Sequence, residues 1–316
     1  MIFASQLIGR RYLLGELLGQ GGMGVVYDAT DRLTGQAVAL KRVLSAQRPA
    51  APAVSHHSTD LRLALASEFK VLASLRHPHI ISVLDYGFDD QNQPFLTLEL
   101  LRDHRTIIEW GAALPIAERV RLLMQMLEAL AYLHRRGILH RDLKPANVMV
   151  MDGQVKVLDF GLALLRSDVP EESVVGTLTY LAPEVLMGER ASQASDLYAV
   201  GVLAYELLVG RHPFATANIT DLMLAVISAD VDLTPLTDLL VTPEDESSPL
   251  PPIIQRLLAK QPAERYQDAA QVLLDFSAAL RQPTPRESIA IRESFLQAAK
   301  FVGRQAEYTQ LTAALE

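Results

Sequence analysis

The hydrophobic period changes near Thr106, and that change leaves few architectures open to the chain. Before it, Tyr12 to Gly19, Val25 to Ala29 and Ala37 to Val43 are short runs rich in β-branched or aromatic residues, parted by glycine-containing turns such as Thr34-Gly35. Such runs predict strands joined as hairpins. Ser45 to Asp60, rich in Ala, Pro, Ser and His, has no period and reads as an insertion. Leu61, Leu65, Phe69 and Leu72 then mark one helix, and Ile80 to Tyr86 and Phe95 to Leu100 two more strands. After Thr106 the spacing is helical. Ile116, Val120, Leu123, Met124, Leu127, Leu130 and Ala131 share one face of a long helix, with Pro115 at its start and Gly137 at its end. Further helices are predicted at Ser195 to Val209, Ile219 to Ala229, Ile253 to Lys260 and Ala269 to Leu280. Strands first and helices afterwards predict an α+β chain in two lobes. The Pro-rich Gln282 to Pro285 should close the second lobe.

Composition excludes several classes of function. The 37 acidic residues outnumber the 29 Lys and Arg, a net charge of −8 and a poor footprint for nucleic acid. No cysteine is present, so disulfides, thiolate zinc sites and cysteine nucleophiles are excluded. The longest apolar run, Tyr198 to Val209, is short for a bilayer and broken by Gly201 and Glu206, and Met1 to Arg10 lacks the pattern of a secretory signal. The expectation is a soluble cytoplasmic protein that binds neither membrane nor nucleic acid.

Four segments carry chemistry. Gly19-Gln20-Gly21-Gly22-Met23-Gly24, followed by Val25-Val26, lies between strand-like runs; without side chains, its backbone amides can approach phosphate oxygens closely. A plain hairpin would use the same glycines. A dinucleotide fingerprint would open into a helix instead. Lys41 closes the strand Val38-Ala39-Leu40 and could hold phosphates or snorkel to solvent; Glu68, on the predicted helix, is its natural partner. In His140-Arg141-Asp142-Leu143-Lys144-Pro145-Ala146-Asn147, Asp142 can accept a hydroxyl proton, Lys144 can neutralise a transferred group, and Asn147 can offer an amide oxygen to a metal. Asp159-Phe160-Gly161 follows the apolar strand Val155 to Leu158 and supplies a hard oxygen ligand suited to magnesium.

These segments, in this order, resemble the eukaryotic-type serine/threonine protein kinases, most closely the bacterial ones. The likeness runs from about Tyr12 to Leu280 and includes Ala182-Pro183-Glu184. It implies a bilobal fold: 1–101 as N-lobe and hinge, 102–281 as C-lobe, 282–300 as linker. It implies ATP with Mg2+, or Mn2+ in its place, as cofactors, and a protein Ser or Thr hydroxyl as acceptor. Carried over residue by residue, Lys41 contacts the α- and β-phosphates and Glu68 holds Lys41. Asn147 and Asp159 hold the metal, Asp142 takes the proton, and Lys144 steadies the γ-phosphate. Thr177 braces Asp142 and Lys144. Leu98 is the gatekeeper, Glu99 to Leu101 the hinge, and Val26, Ala39 and Met149 sandwich adenine. Asp196 resembles the aspartate bracing the catalytic loop, Arg265 the partner of Glu184, and Leu72, Val83, His140 and Phe160 the regulatory spine.

Regulation has two readings. Arg141 before Asp142 goes with control by activation-loop phosphorylation; Ser173 is the expected phosphosite, by autophosphorylation in trans, while Glu171 and Glu172 beside it offer an acidic substitute. Ala146, where basophilic kinases carry Glu, argues against an arginine-directed substrate. Phe301 to Glu307 resembles the entry of an AAA-type or signal-transducing ATPase domain, so 301–316 is expected to begin one; an ordinary amphipathic helix from Ala306 to Leu315 is the alternative. Bacterial relatives often dimerise through the N-lobe, which makes a homodimer an expected assembly. An ATP-binding pseudokinase scaffold is the rival function, and a small-molecule kinase of similar fold a third. His56-His57, Trp110 and Glu244-Asp245-Glu246 read as solvated or packing residues, and His134 as a packed or capping histidine near a helix end.

Overall fold

A computed structural model describes residues 6–21, 24–43, 72–91, 93–159, 178–214, 218–240 and 248–283. Expectations for 45–60, Glu68, Gly22, Met23, Phe160, Gly161, Ser173, Thr177, Glu244 to Glu246 and the tail fall outside those residues. The N-terminal part is a six-stranded antiparallel sheet ordered β1-β2-β3-β4-β6-β5, from strands β1 (Leu7–Ile8), β2 (Tyr12–Gly21), β3 (Gly24–Asp31), β4 (Ala37–Val43), β5 (Val83–Phe88) and β6 (Pro94–Glu99). The β-period assigns its faces. Val38 and Leu40 of β4 turn into a small core with Ile8, Tyr12, Ala29 and Phe95, whereas Ala39 packs against the larger core on the other face. Lys41, two residues on, shares that inner face. β2 shifts register between Leu14 and Leu17 and again between Leu17 and Gly19, bulges that bend the strand before its Gly-rich end.

The C-terminal part is mainly helical. Helix α1 (Ile107–Gly111) opens on a Thr106/Glu109 capping box, and α2 (Ile116–Arg135) follows Pro115 and ends before Gly137, whose φ of +72° suits glycine. A second, three-stranded antiparallel sheet joins β7 (Arg105–Thr106), just before α1, to β8 (Val148–Met151) and β9 (Gln154–Val157), which follow α2. The strand expected at Val155 to Leu158 is one half of a hairpin here. A hairpin sits inside the helical part, turned by Asp152 and Gly153, both at positive φ as a tight two-residue turn requires. Then come α3 (Pro183–Leu186), α4 (Gln193–Val209), α5 (Ile219–Ser228), α6 (Leu250–Leu257) and α7 (Ala269–Ala279).

The apolar run Tyr198 to Val209 lies in α4, which is buried nearly all round. It is a core helix, and a Cβ on Gly201 would come within 2.8 Å of Leu257 on α6. Ser192 and Ser195 cap its start reciprocally, and Gly210, left-handed at φ +85°, ends it. Arg119 on α2 donates to the carbonyls of Leu207 and Leu208 near its end. Among the described residues no helix is long and apolar enough to cross a membrane.

Candidate active site

The site is built where the sheet meets the helical part. β4 carries Lys41 inward, with Val26 of β3 and Leu96 of β6 as its cross-strand neighbours. Its ammonium is buried and reaches Asp159 Oδ1 at 2.5 Å, joining residues 118 apart in sequence. The described partner of Lys41 is therefore this carboxylate; the expected partner, Glu68, is outside the described residues.

Asp159 stands two residues past the end of β9. The preceding residue, Leu158, is tied to the loop opposite: its N–H donates to the Asn147 carbonyl at 2.9 Å, and its carbonyl lies 2.9 Å from His140 Nε2. Those two bonds place Asp159 beside the loop holding Asp142. Within that loop Asn147 donates to the Asp142 carbonyl at 2.7 Å and to Asp142 Oδ2 at 3.0 Å, while Lys144 Nζ stands 3.2 Å from the same oxygen. Asp142 and Asn147 are both buried. The Asn147 nitrogen is thus committed to Asp142, which turns its amide oxygen toward other partners. Asp159 and Asn147 supply two hard oxygen donors. No cluster of three or more His, Cys, Asp or Glu fit for a metal occurs among the described residues. That donor set fits magnesium, which usually takes one or two protein ligands and fills its shell with phosphates and water.

The loop is braced from below. Arg141 and Asp159 hold φ values of +65° and +56°, left-handed conformations that cost a non-glycine residue about 1–2 kcal/mol. Asp196, buried near the start of α4, offsets that cost at Arg141. It accepts from the N–H of His140 and of Arg141, both at 2.8 Å, and contacts His134 Nε2 of α2 at 2.9 Å. Asp196 braces the loop as the resemblance implies, and the expectation for His134 is a packed or capping histidine near a helix end. His134 is indeed packed, but its ring spans from α2 to the brace.

A second anchor lies below α3. Glu184 and Arg265 form a buried bidentate pair, at 2.8 and 2.7 Å, and Ser195 Oγ donates to Glu184 at 2.7 Å. Burial alone would raise the Glu184 carboxyl, but the bonds from Arg265 and Ser195 outweigh it and hold it below its usual value. The expected hinge and adenine contacts come from both sheets. Leu98 and Leu101 are buried, Ala39 pairs with Leu98 across β4 and β6, and Val26 and Met149 are partly buried against the same core. Of the expected spine, Leu72, Val83 and His140 are buried.

The sequence profile of the protein kinase domain matches residues 12–276. The chain belongs to the protein kinase domain family. It is 36% identical over 284 residues to a probable serine/threonine-protein kinase of Streptomyces coelicolor, covering 86% of this chain and 40% of that protein. It is 33% identical to the probable serine/threonine-protein kinase PknB of Corynebacterium glutamicum, over 85% of this chain and 42% of the other. Identity to the serine/threonine-protein kinase PknA of Mycobacterium tuberculosis is also 33%, over 88% of this chain and 64% of that one. The chain thus spans less than two thirds of these relatives. The bilobal kinase fold expected from the motifs is the fold observed.

Four histidines around this kinase core are held neutral. Burial pushes His77 down to about 3 and also lowers His79, His140 and His212. His140 suits that form, since its Nε2 can donate to Leu158 while Nδ1 accepts from the Asp142 N–H. In the unfolded chain these imidazoles take up protons below about pH 6.5, so there the unfolded state binds more protons. Their contribution to stability is complete above that value and declines on acidification, by up to about 1.4 kcal/mol per pH unit for each histidine. Urea unfolding should show the midpoint falling between pH 7 and pH 5. A midpoint that stays level would mean the rings are accessible and charged in the folded protein.

Proposed function

We propose that this chain transfers the γ-phosphate of ATP to serine or threonine hydroxyls of proteins. One observation carries the reading: Lys41 from the sheet meets Asp159 from the helical part at 2.5 Å, and Leu158 hydrogen-bonds that junction to the Asp142–Asn147 loop. Phosphoryl transfer passes through a loose transition state, so positioning and charge neutralisation dominate. Lys41 binds the α- and β-phosphates, and Leu98 to Leu101 line the adenine pocket. Gly19 to Gly24 cover the phosphates with backbone amides. Asn147 and Asp159 hold magnesium, which when bound neutralises charge on the β- and γ-phosphates. Asp142 orients the acceptor hydroxyl and takes its proton, while Lys144 draws charge from the γ-phosphate. Lys144, two residues after Asp142, and the names of the relatives both favour Ser or Thr as acceptor. Control at Ser173, a Thr177 that braces Asp142 and Lys144, and a following ATPase domain belong to the same proposal.

The test is transfer of labelled phosphate from magnesium-ATP to a generic protein substrate and to the chain itself. Lys41→Met should lower the rate roughly 100-fold, the scale of losing one preorganised charge contact. Incorporation by the variant at the wild-type rate would assign the activity to a contaminant. Phosphate on a small hydroxylated metabolite but not on protein would redirect the acceptor class.

A further inference from the structure

Glu99 stands at the end of β6, where adenine contacts are expected from its backbone. Its side chain has a separate task. The carboxylate accepts from Lys156 Nζ of β9 at 2.8 Å and from the Ser82 N–H at 3.1 Å, while the Glu99 N–H donates to the Ser82 carbonyl at 3.0 Å. Through its backbone Glu99 is also the register partner of Val38 on β4. Val38 lies three residues before Lys41, and Lys156 three residues before Asp159. Glu99 therefore ties together β4, which carries Lys41, and β9, whose end leads within two residues to Asp159. Lys156 is also the register partner of Met149, the expected floor of the adenine pocket. Backbone bonds from Val157 to His79 and from Ile81 to Val157 dock β9 on the segment before β5, but none of them reaches the hinge.

We propose that the Glu99–Lys156 ion pair is a clamp that sets the spacing of Lys41 and Asp159, and so the fraction of molecules ready to take up magnesium-ATP. Glu99 and Lys156 are positioning residues, and the inference rests on the kinase reading above. Lys156 is largely buried and Glu99 about two thirds so, which shields the pair from solvent more than an ordinary surface pair. Without the clamp the hinge and β9 sample more relative positions. The apparent affinity for nucleotide falls by the lost fraction of competent molecules.

The test uses the full chain, steady-state kinetics and binding of a fluorescent ATP analogue with magnesium. Lys156→Met should raise the KM for ATP and the analogue Kd about fivefold. It should leave kcat and the KM for protein substrate within about twofold. Glu99→Gln should do the same, and Lys156→Arg should stay near wild type. The double variant Glu99→Gln/Lys156→Met should also show about fivefold, because one interaction is lost only once. A mere loss of stability would lower the melting temperature without splitting the two KM values. An unchanged nucleotide affinity in Lys156→Met, or a multiplied effect of about 25-fold in the double variant, overturns the clamp. Should Lys156→Met fail to fold, Glu99→Gln carries the same comparison. A wild-type chain that binds nucleotide yet transfers no phosphate overturns the kinase reading alone; one that binds none overturns both.

Discussion

Asp142→Asn should lower the rate of phosphate transfer by roughly 10³-fold or more while nucleotide still binds. The substitution keeps volume and removes two things. One is the oxygen that can take the hydroxyl proton, a contribution on the scale of 10²–10⁴. The other is the negative charge that fixes Lys144 at 3.2 Å. The new amide can keep its oxygen toward Asn147 Nδ2, where Asp142 Oδ2 accepts at 3.0 Å, so Asn147 stays in place. Binding is spared because Lys41, Asp159 and the hinge lie outside this loop. Initial rates with labelled ATP, beside titration of a fluorescent ATP analogue, separate the two effects. A rate within tenfold of wild type would place the base elsewhere.

What the sequence makes legible is what periodicity and local chemistry encode. The run Val38-Ala39-Leu40 closing on Lys41 reads as a strand, and the structure places Val38 and Leu40 in one core and Ala39 against the other. Caps and glycines set helix ends to within a few residues, as at Gly137 and Gly210. The motif residues Asp142, Asn147 and Asp159 gather as their order implies. What stays hidden is pairing at long range between groups whose local sequence is unremarkable. His134 looks like any histidine near a helix end until Asp196, 62 residues on, comes within 2.9 Å. Lys156, inside the strand Val155 to Leu158, carries no local sign of its partner Glu99. Neither residue type nor spacing carries that information, since each pair exists only once distant segments of the chain pack together. The hairpin of β8 and β9 was half visible, through Val155 to Leu158 alone, because its strands are only four residues each.

Arg265→Met should cost about 3–5 kcal/mol of stability, the range for removing one partner of a buried ion pair. The guanidinium is wholly buried, and every N–H direction is engaged. Nε donates to the Ala259 carbonyl, Nη1 to Glu184 and the Ala194 carbonyl, and Nη2 to Glu184 and the Lys260 carbonyl, all between 2.7 and 3.1 Å. Its face lies 4.9 Å from the Tyr198 ring. Methionine fills part of the volume but leaves a buried Glu184 carboxylate with Ser195 as its remaining side-chain donor, and three carbonyls without theirs. Thermal unfolding should shift down by roughly 10 °C or more for a chain of this size. Adding Glu184→Leu should recover part of the loss, because the stranded charge is then gone. Glu184 also sits in α3, directly after the segment expected to dock the acceptor peptide, so Arg265→Met should raise the KM for protein substrate more than the KM for ATP. A melting temperature within 2 °C of wild type would mean that water reaches Glu184 and that the pair is not the anchor its geometry describes.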